Sequence, residues 1–401
     1  MKNFDEKIWQ MMFEKLYSKK TNLFYDFLVE GLSFKEFLPE PELINKQIPN
    51  PCGWCTGMED SMINGGIMLE SAIEAYELYG DKEYILKAKE IFKGMKKCAT
   101  VSETKGFLAR SLSPVDEKSH YIESSRDQYT HWIFASVKYL FSSLSDEDEK
   151  EFIKETLVNF ALRARENVTE ENDYNMLRED NKKSLATKMW GNLGAHEWAR
   201  LPMFYLAAWK IGNDESFKED YLKYRDVALE NSEKVVLPNY KRLFALHQMQ
   251  LSLRFIYDFD DDLSIKERCL NLMKKIAEYN RLSVLELFQK HKQKNILKNF
   301  FETKRWNLLE AQFWGYLDGY GYYVPKCIKS DFTCTIPDIH IYNFGDGIAV
   351  MALVPDAPFD EEMFNVLNEI GNSIDYDNYK TDAVDHLLLP YYALKKHLPK
   401  R

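Results

Sequence analysis

The chain has 401 residues, 45% of them hydrophobic and 29% charged, which is enough apolar material for a large core and excludes disorder or a collagen-like repeat. Its 53 Lys and Arg against 63 Asp and Glu leave a net charge of -10, the wrong sign for binding by phosphate neutralisation, so nucleic acid is not an expected partner. No run approaches the roughly 18 apolar residues of a membrane span, and the acidic opening MKNFDEKIWQ lacks the apolar core of a signal peptide; the chain is expected to be soluble and cytoplasmic, or exported if a leader has been removed.

Aromatic residues make up 14% of the chain while Gly (17) and Pro (13) are scarce, a composition that favours long buried helices and an all-α fold. A first helix is predicted over Phe4 to Glu30. Ser61 to Tyr79 is apolar around most of its circumference, as a deeply buried helix is. It stops at Gly80-Asp81, a glycine C-cap followed by an acidic N-cap, and Lys82 to Lys97 then carries Tyr84, Ile85, Ala88, Ile91, Phe92 and Met95 on one stripe. The same succession of buried helix, polar break and amphipathic helix recurs three times. Asp127 to Leu144 breaks at Ser145-Asp146; Leu193 to Ile211 breaks at Gly212-Asn213-Asp214; Arg242 to Tyr257 breaks at Asp258 to Asp262. Later helices are predicted over Asp346 to Val354, Glu361 to Ile374 and Ala383 to His397. Gly315 to Asp346 mixes glycine, proline and aromatics without helical period, which suggests a loop insertion or a small hairpin. With no linker or composition break, residues 1–401 read as a single α/α toroid of about six hairpins, with inner helices around a central funnel and residues 315–346 over its mouth.

Polar residues gather where the buried helices begin: Glu59-Asp60, Arg126-Asp127, His196-Glu197 with Arg200, and Asp338, His340 and Asp346. Any one acid in such a place can be a simple helix cap. Recurrence at equivalent places in a closed ring would instead face the carboxylates into one cavity, where a pair can protonate a glycosidic oxygen and activate water.

Gly57-Met-Glu-Asp60 followed by INGGIMLESAIEAYELYGDKEYILKAKE, then GFLAR (Gly106 to Arg110) and YIESSRDQYTHWIFASVKYL (Tyr121 to Leu140), resembles the first hairpins of the six-hairpin glycosidases. Within that superfamily it is most similar to the unsaturated glucuronyl and rhamnogalacturonyl hydrolases. There one aspartate opens an inner helix ending in a Tyr-Gly-Asp turn and a second opens the next, and Asp60 and Asp127 occupy those places. The resemblance implies a glycoside hydrolase in which Asp127 is the general acid/base and Asp60 supports it or orients substrate. It also implies acidic oligosaccharides as substrate, with the 4,5-unsaturated uronyl kind among them.

Arg110, Arg126 and Arg200 could grip a substrate carboxylate in a bidentate fork, or could simply neutralise the neighbouring acids. Trp54, Trp132, Trp190 and Trp198 lie near loop ends and could stack on sugar rings or pack in the core. His131, one turn after Asp127, and His196 with Glu197 are further candidates for the cavity wall. If Asp127 lines the funnel, Asp127→Asn should leave the thermal midpoint nearly unchanged. The alternatives are a sugar isomerase or epimerase using His196, His247, His340 and His386, and a carbohydrate-binding protein without catalysis. No GxGxxG, phosphate loop, HExxH or GxSxG occurs at a plausible site. Cys52-Gly-Trp-Cys55 lacks the preceding strand of a thioredoxin-type motif, and Cys327 with Cys334 has uncommon spacing for a zinc site. No cofactor or metal is therefore expected, and most cysteines should be free thiols.

Overall fold

The N-terminal helix is shorter than its periodicity suggests. In the computed structural model, which describes residues 3–26, 38–48, 50–54, 56–184, 186–240, 242–294, 314–317, 322–325, 336–377 and 382–398, α1 (Phe4–Met11) widens into a π turn over Met12–Leu16. The chain then turns back as a two-stranded antiparallel ribbon, β1 (Tyr17–Ser18) with β2 (Leu23–Phe24). The Phe13, Tyr17 and Phe24 rings lie within 5.2 Å of one another. Asn22, in the left-handed region at φ 60°, donates from Nδ2 to Tyr17 Oη at 2.7 Å. This local aromatic knot outweighs the helical pattern expected to run on to Glu30.

A short α2 (Pro41–Asn45) precedes the first of the recurring pairs. Helix α3 (Ser61–Tyr79) has the predicted bounds and stops at Gly80, whose left-handed φ of 69° lets its N–H reach Tyr76 O at 2.7 Å. Met62, Ile67, Met68, Leu69 and Ile73 of α3 are each at most 1% exposed, and full burial of such a side chain is worth about 1.5–3 kcal/mol. Asp81 then caps α4 (Lys82–Thr100), accepting from Glu83 N at 2.9 Å. Ser125 caps α5 (Arg126–Phe141), and Asp146 with Glu149 forms a reciprocal capping box on α6 (Glu147–Asn167). A 3₁₀ turn, Ala195–Glu197, leads into α7 (Arg200–Lys210), followed by α8 (Lys218–Glu233), α9 (Phe244–Phe259) and the long α10 (Leu263–Lys294).

Residues 315–346 depart from the expected loop. Strands β3 (Trp314–Leu317) and β4 (Tyr322–Pro325) pair antiparallel as the small hairpin, and α11 (Ile336–Ala352) starts ten residues before the predicted Asp346. Its glycines serve its packing, Gly345 in the expected loop and Gly347 in the predicted helix: a Cβ on Gly345 would stand 2.4 Å from His386 O, and one on Gly347 2.6 Å from Val284. The rest of the expected insertion lies outside the described residues. Helix α12 (Glu361–Ser373), a 3₁₀ turn over Asp382–Leu387 and α13 (Leu388–Lys395) end the chain.

The protein is thus almost wholly helical, with thirteen α-helices and two short ribbons among the described residues. Helix α3 packs on α5, α5 on α7, α7 on α9, α9 on α11, α11 on α13, and α13 on α3. Of the amphipathic helices, α4 lies against α3, α6 against α5 and α7, α8 against α7, and α10 against α9 and α11. The chain ends meet where Trp9 Nε1 donates to Tyr392 Oη at 2.8 Å. Among the described residues no helix is long and apolar enough to cross a membrane. Cys52, Cys98 and Cys269 are buried free thiols; Cys55, Cys327 and Cys334 lie outside the described residues.

Candidate functional site

The first residues of α3, α5, α7 and α9 are tied together by polar side chains. Neither expected acid caps its own helix. Ser125 does that for α5, accepting from Gln128 N, and the Asp60 side chain makes no cap bond to α3. Instead Gln128 bridges the two elements: its Nε2 donates to Asp60 Oδ1 at 2.9 Å and Glu59 O at 3.0 Å, while its Oε1 accepts from Met62 N at 3.1 Å. Arg110 sits 3.7 Å from Asp60 Oδ1. Asp127 forms an ion pair with Nη1 of Arg200, the first residue of α7, whose Nη2 donates to Gln248 Oε1 on α9 at 2.7 Å.

The two carboxylates are accessible but electrostatically unlike. The Asp60 side chain is 42% exposed and that of Asp127 32%, against 2% for Arg200. Burial, with the charges of Asp382 and Asp127 added, pushes Asp60 up to about 6 against the opposing pull of Arg110. Burial acts to raise Asp127 too, but the charge and hydrogen bond of Arg200, with Arg126 beyond, hold it below the usual carboxylate range. Asp60 therefore takes up a proton at far higher pH than Asp127 does, and between the two titrations one member of the pair is protonated while the other stays ionised.

Behind Asp60 lie two acids that the sequence reading missed. Asp26 accepts from the Glu59 and Asp60 backbone N–H groups at 2.8 and 3.1 Å. Asp382 accepts from Asn64 Nδ2 at 3.0 Å and Tyr342 Oη at 2.5 Å. Burial and the charges of Asp60, Asp382 and Glu59 push Asp26 well above its usual value. Asp382 stands at the head of the last helical segment, so the rule that singled out Asp60 and Asp127 would have found it. Nothing local marks Asp26.

A second group is joined to the first through Tyr342, whose ring meets that of His386 edge-on at 4.6 Å. Asp346 Oδ1 lies 2.8 Å from His247 Nδ1 and 2.7 Å from His386 Nδ1, and the His131 ring is 5.7 Å from that of His247. All four residues are buried. His131 therefore presents no face to solvent, and burial with the charges of His247 and His386 drives it well below the usual histidine range.

The three candidate arginines are all engaged by protein. Arg110 donates to Glu59 O at 2.9 Å, Arg126 donates to Lys188 O at 2.7 Å and pairs with Glu197, and Arg200 holds Asp127 and Gln248. Glu197 also accepts from Gly194 N at 2.9 Å. His196 Nδ1 is 3.1 Å from Tyr240 Oη, and burial with the charge of Arg200 pushes it down to about 4. Trp132, expected as a possible sugar platform, is a core residue instead: it is fully buried and donates Nε1 to Met95 O at 3.2 Å. Trp190 is half-buried, edge-on to Trp198 and Tyr224, each at 4.7 Å. Trp54 is half-buried in the turn after Asn50, which accepts its backbone N–H. The side chains of Asp338 and His340 lie outside the described residues. A separate groove of about 1360 Å³, between α10 and α12, shares no residue with either polar group. No family model matches the chain, and no curated protein matches it in sequence.

Proposed function

We propose that the chain is an α/α toroid acting as a glycoside hydrolase, with Asp60 as the general acid and Asp127 as the carboxylate that activates water. The toroid reading is supported by the succession of helix contacts that leads from α3 back to α3, with amphipathic helices set against its members. The observation that carries the chemistry is the pair of accessible aspartates at the heads of α3 and α5, shifted in opposite directions. Two carboxyl groups driven apart by their surroundings are the equipment that glycosidic cleavage needs: a proton for the leaving oxygen and an anion for the attacking water. The roles are exchanged relative to those implied by the six-hairpin resemblance, because Arg200 makes Asp127 a poor proton donor and nothing of comparable strength does so at Asp60. The isomerase alternative has less support, since His247 and His386 are buried and committed to Asp346. Preference for uronates also has less support than the hydrolysis itself, because the three arginines have protein partners; a substrate carboxylate would have to compete for them.

The test compares a panel of aryl glycosides and unsaturated uronyl disaccharides with the corresponding glycosyl fluorides, whose leaving group departs without protonation. Asp60→Asn should lose turnover of substrates with poor leaving groups yet keep the fluoride reaction, while Asp127→Asn should lose both. Parental turnover of poor leaving groups by Asp60→Asn would overturn the assignment. Absence of reducing-sugar release across the panel by the parent would overturn the hydrolase reading.

A further inference from the structure

The His247, Asp346 and His386 trio has more coordinating capacity than its hydrogen bonds use. A single oxygen, Asp346 Oδ1, is the neighbour of both Nδ1 atoms. The second oxygen, Oδ2, and His247 Nε2 are buried with no hydrogen-bond partner among the described residues. Asp385 is fully buried, and neither of its oxygens has a hydrogen-bond partner there either; Oδ1 stands 3.7 Å from His386 Nε2. Buried polar atoms without partners are rare, and an ion on the Asp346 carboxylate would satisfy Oδ2, the unpartnered atom of the acid that both imidazoles share.

We propose that His247, Asp346 and His386 bind a divalent first-row transition metal ion. One ligand atom from each residue lies within 4.8 Å of the other two. Nitrogen and oxygen ligands about 2.0–2.1 Å from an ion, set at right angles, stand about 2.9 Å apart. The observed separations of 2.8 and 2.7 Å are hydrogen-bond distances close to that octahedral edge, and a tetrahedral ion would need the ligand atoms to spread to about 3.4 Å. Two imidazoles and one carboxylate are a borderline donor set suited to Zn²⁺, Fe²⁺ or Co²⁺ rather than Ca²⁺ or Mg²⁺, and a bidentate Asp346 would also use Oδ2. Asp385 occupies the place of the carboxylate that commonly orients a metal-bound imidazole through its other nitrogen. The three ligands come from α9, α11 and the turn before α13, so the ion would pin the last helices to the middle of the chain. This site is distinct from the Asp60 and Asp127 pair, and its occupancy is read without any turnover.

The experiment measures metal content of the purified full chain by mass spectrometry, then titrates EDTA-treated protein with Co²⁺ while following visible absorption and thermal midpoint. One equivalent of metal, a visible ligand-field band and a raised midpoint are expected, with Zn²⁺ displacing the band. His247→Ala and Asp346→Asn should abolish the band, and Asp385→Asn should weaken Co²⁺ binding about 10–100-fold. If the parent contains no transition metal and Co²⁺ produces neither band nor stabilisation, the trio is a hydrogen-bonded structural element and the proposal fails. That outcome needs no variant to fold.

Discussion

Replacing Asp60 by Asn separates catalysis from stability in a way that follows from its surroundings. The native protein holds the Asp60 proton more tightly than the unfolded chain, with a pKa raised from 3.8 to about 6. At about 1.4 kcal/mol per tenfold change in proton affinity, the ionised carboxylate costs at most about 3 kcal/mol of stability at neutral pH. The side chain is 42% exposed, and solvent screening reduces that figure to about 1 kcal/mol. Asparagine removes the charge and keeps an oxygen for Gln128, so Asp60→Asn should be more stable than the parent at pH 7. With about 2.1 cal/mol/K of unfolding entropy per residue, 1 kcal/mol in a chain of this length raises the midpoint by about 1 °C. The pH dependence is the sharper signature. The native-state preference for protonated Asp60 is fully present below its unfolded value and is lost as pH rises through about 6. The advantage of the variant should therefore be absent near pH 3.5, grow between about 4 and 6, and stay constant above. Calorimetric midpoints of parent and variant across that range provide the measurement. A variant less stable than the parent at pH 7, or an advantage that persists unchanged at pH 3.5, would refute the reasoning.

Asp127→Asn should behave in the opposite sense. Removing that charge leaves the Arg200 guanidinium, 2% exposed, without its counter-ion, and breaking a buried pair in this way costs about 3–5 kcal/mol. Thermal denaturation should show it, in contrast to the unchanged midpoint expected when Asp127 is taken for an unpaired funnel carboxylate; an unchanged midpoint would mean that Arg200 has another anion to hold. Gly345→Ala would set a Cβ 2.4 Å from the backbone oxygen of His386, displacing the turn that carries Asp382, Asp385 and His386. It should cost about 1–3 kcal/mol in denaturant unfolding and weaken Co²⁺ binding. Parental stability and binding would show that α11 and that turn separate easily.

The helical pairs were legible because their signals are local. The Tyr79-Gly80-Asp81 stop, the break at Ser145-Asp146 and the stripe along α4 each lie within a few turns of chain, and all three appear as read. The reading went astray where tertiary contacts override local pattern. Gly345 looks like a loop residue until its close neighbour, the His386 backbone, is in view. The Phe13, Tyr17 and Phe24 cluster turns a predicted helix back on itself. Trp132 has the composition of a sugar platform, yet its position on α5 points it at Met95 in the core.

The division of labour between the two aspartates belongs to a level that no local pattern reaches. Asp60 and Asp127 are equivalent by position, each at the head of a buried helix, and a reading by analogy has no means of ranking them. What differs is where their neighbours come from. Asp127 meets a cation from the next buried helix, Arg200, in an ion pair fixed on its far side by Gln248 of α9. Asp60 lies against acids from both ends of the chain, since Asp26 is held to its backbone and Asp382 shares Asn64 and a backbone hydrogen bond with Asp26. Asp382 approaches Asp60 because its own turn and α13 both pack against α3. That terminal contact places negative charge beside Asp60 and leaves Asp127 in a cationic setting. Burial does most to raise Asp60 and the way the chain closes adds to it, so a substitution that loosens α13 from α3 would lower the Asp60 pKa without touching either aspartate.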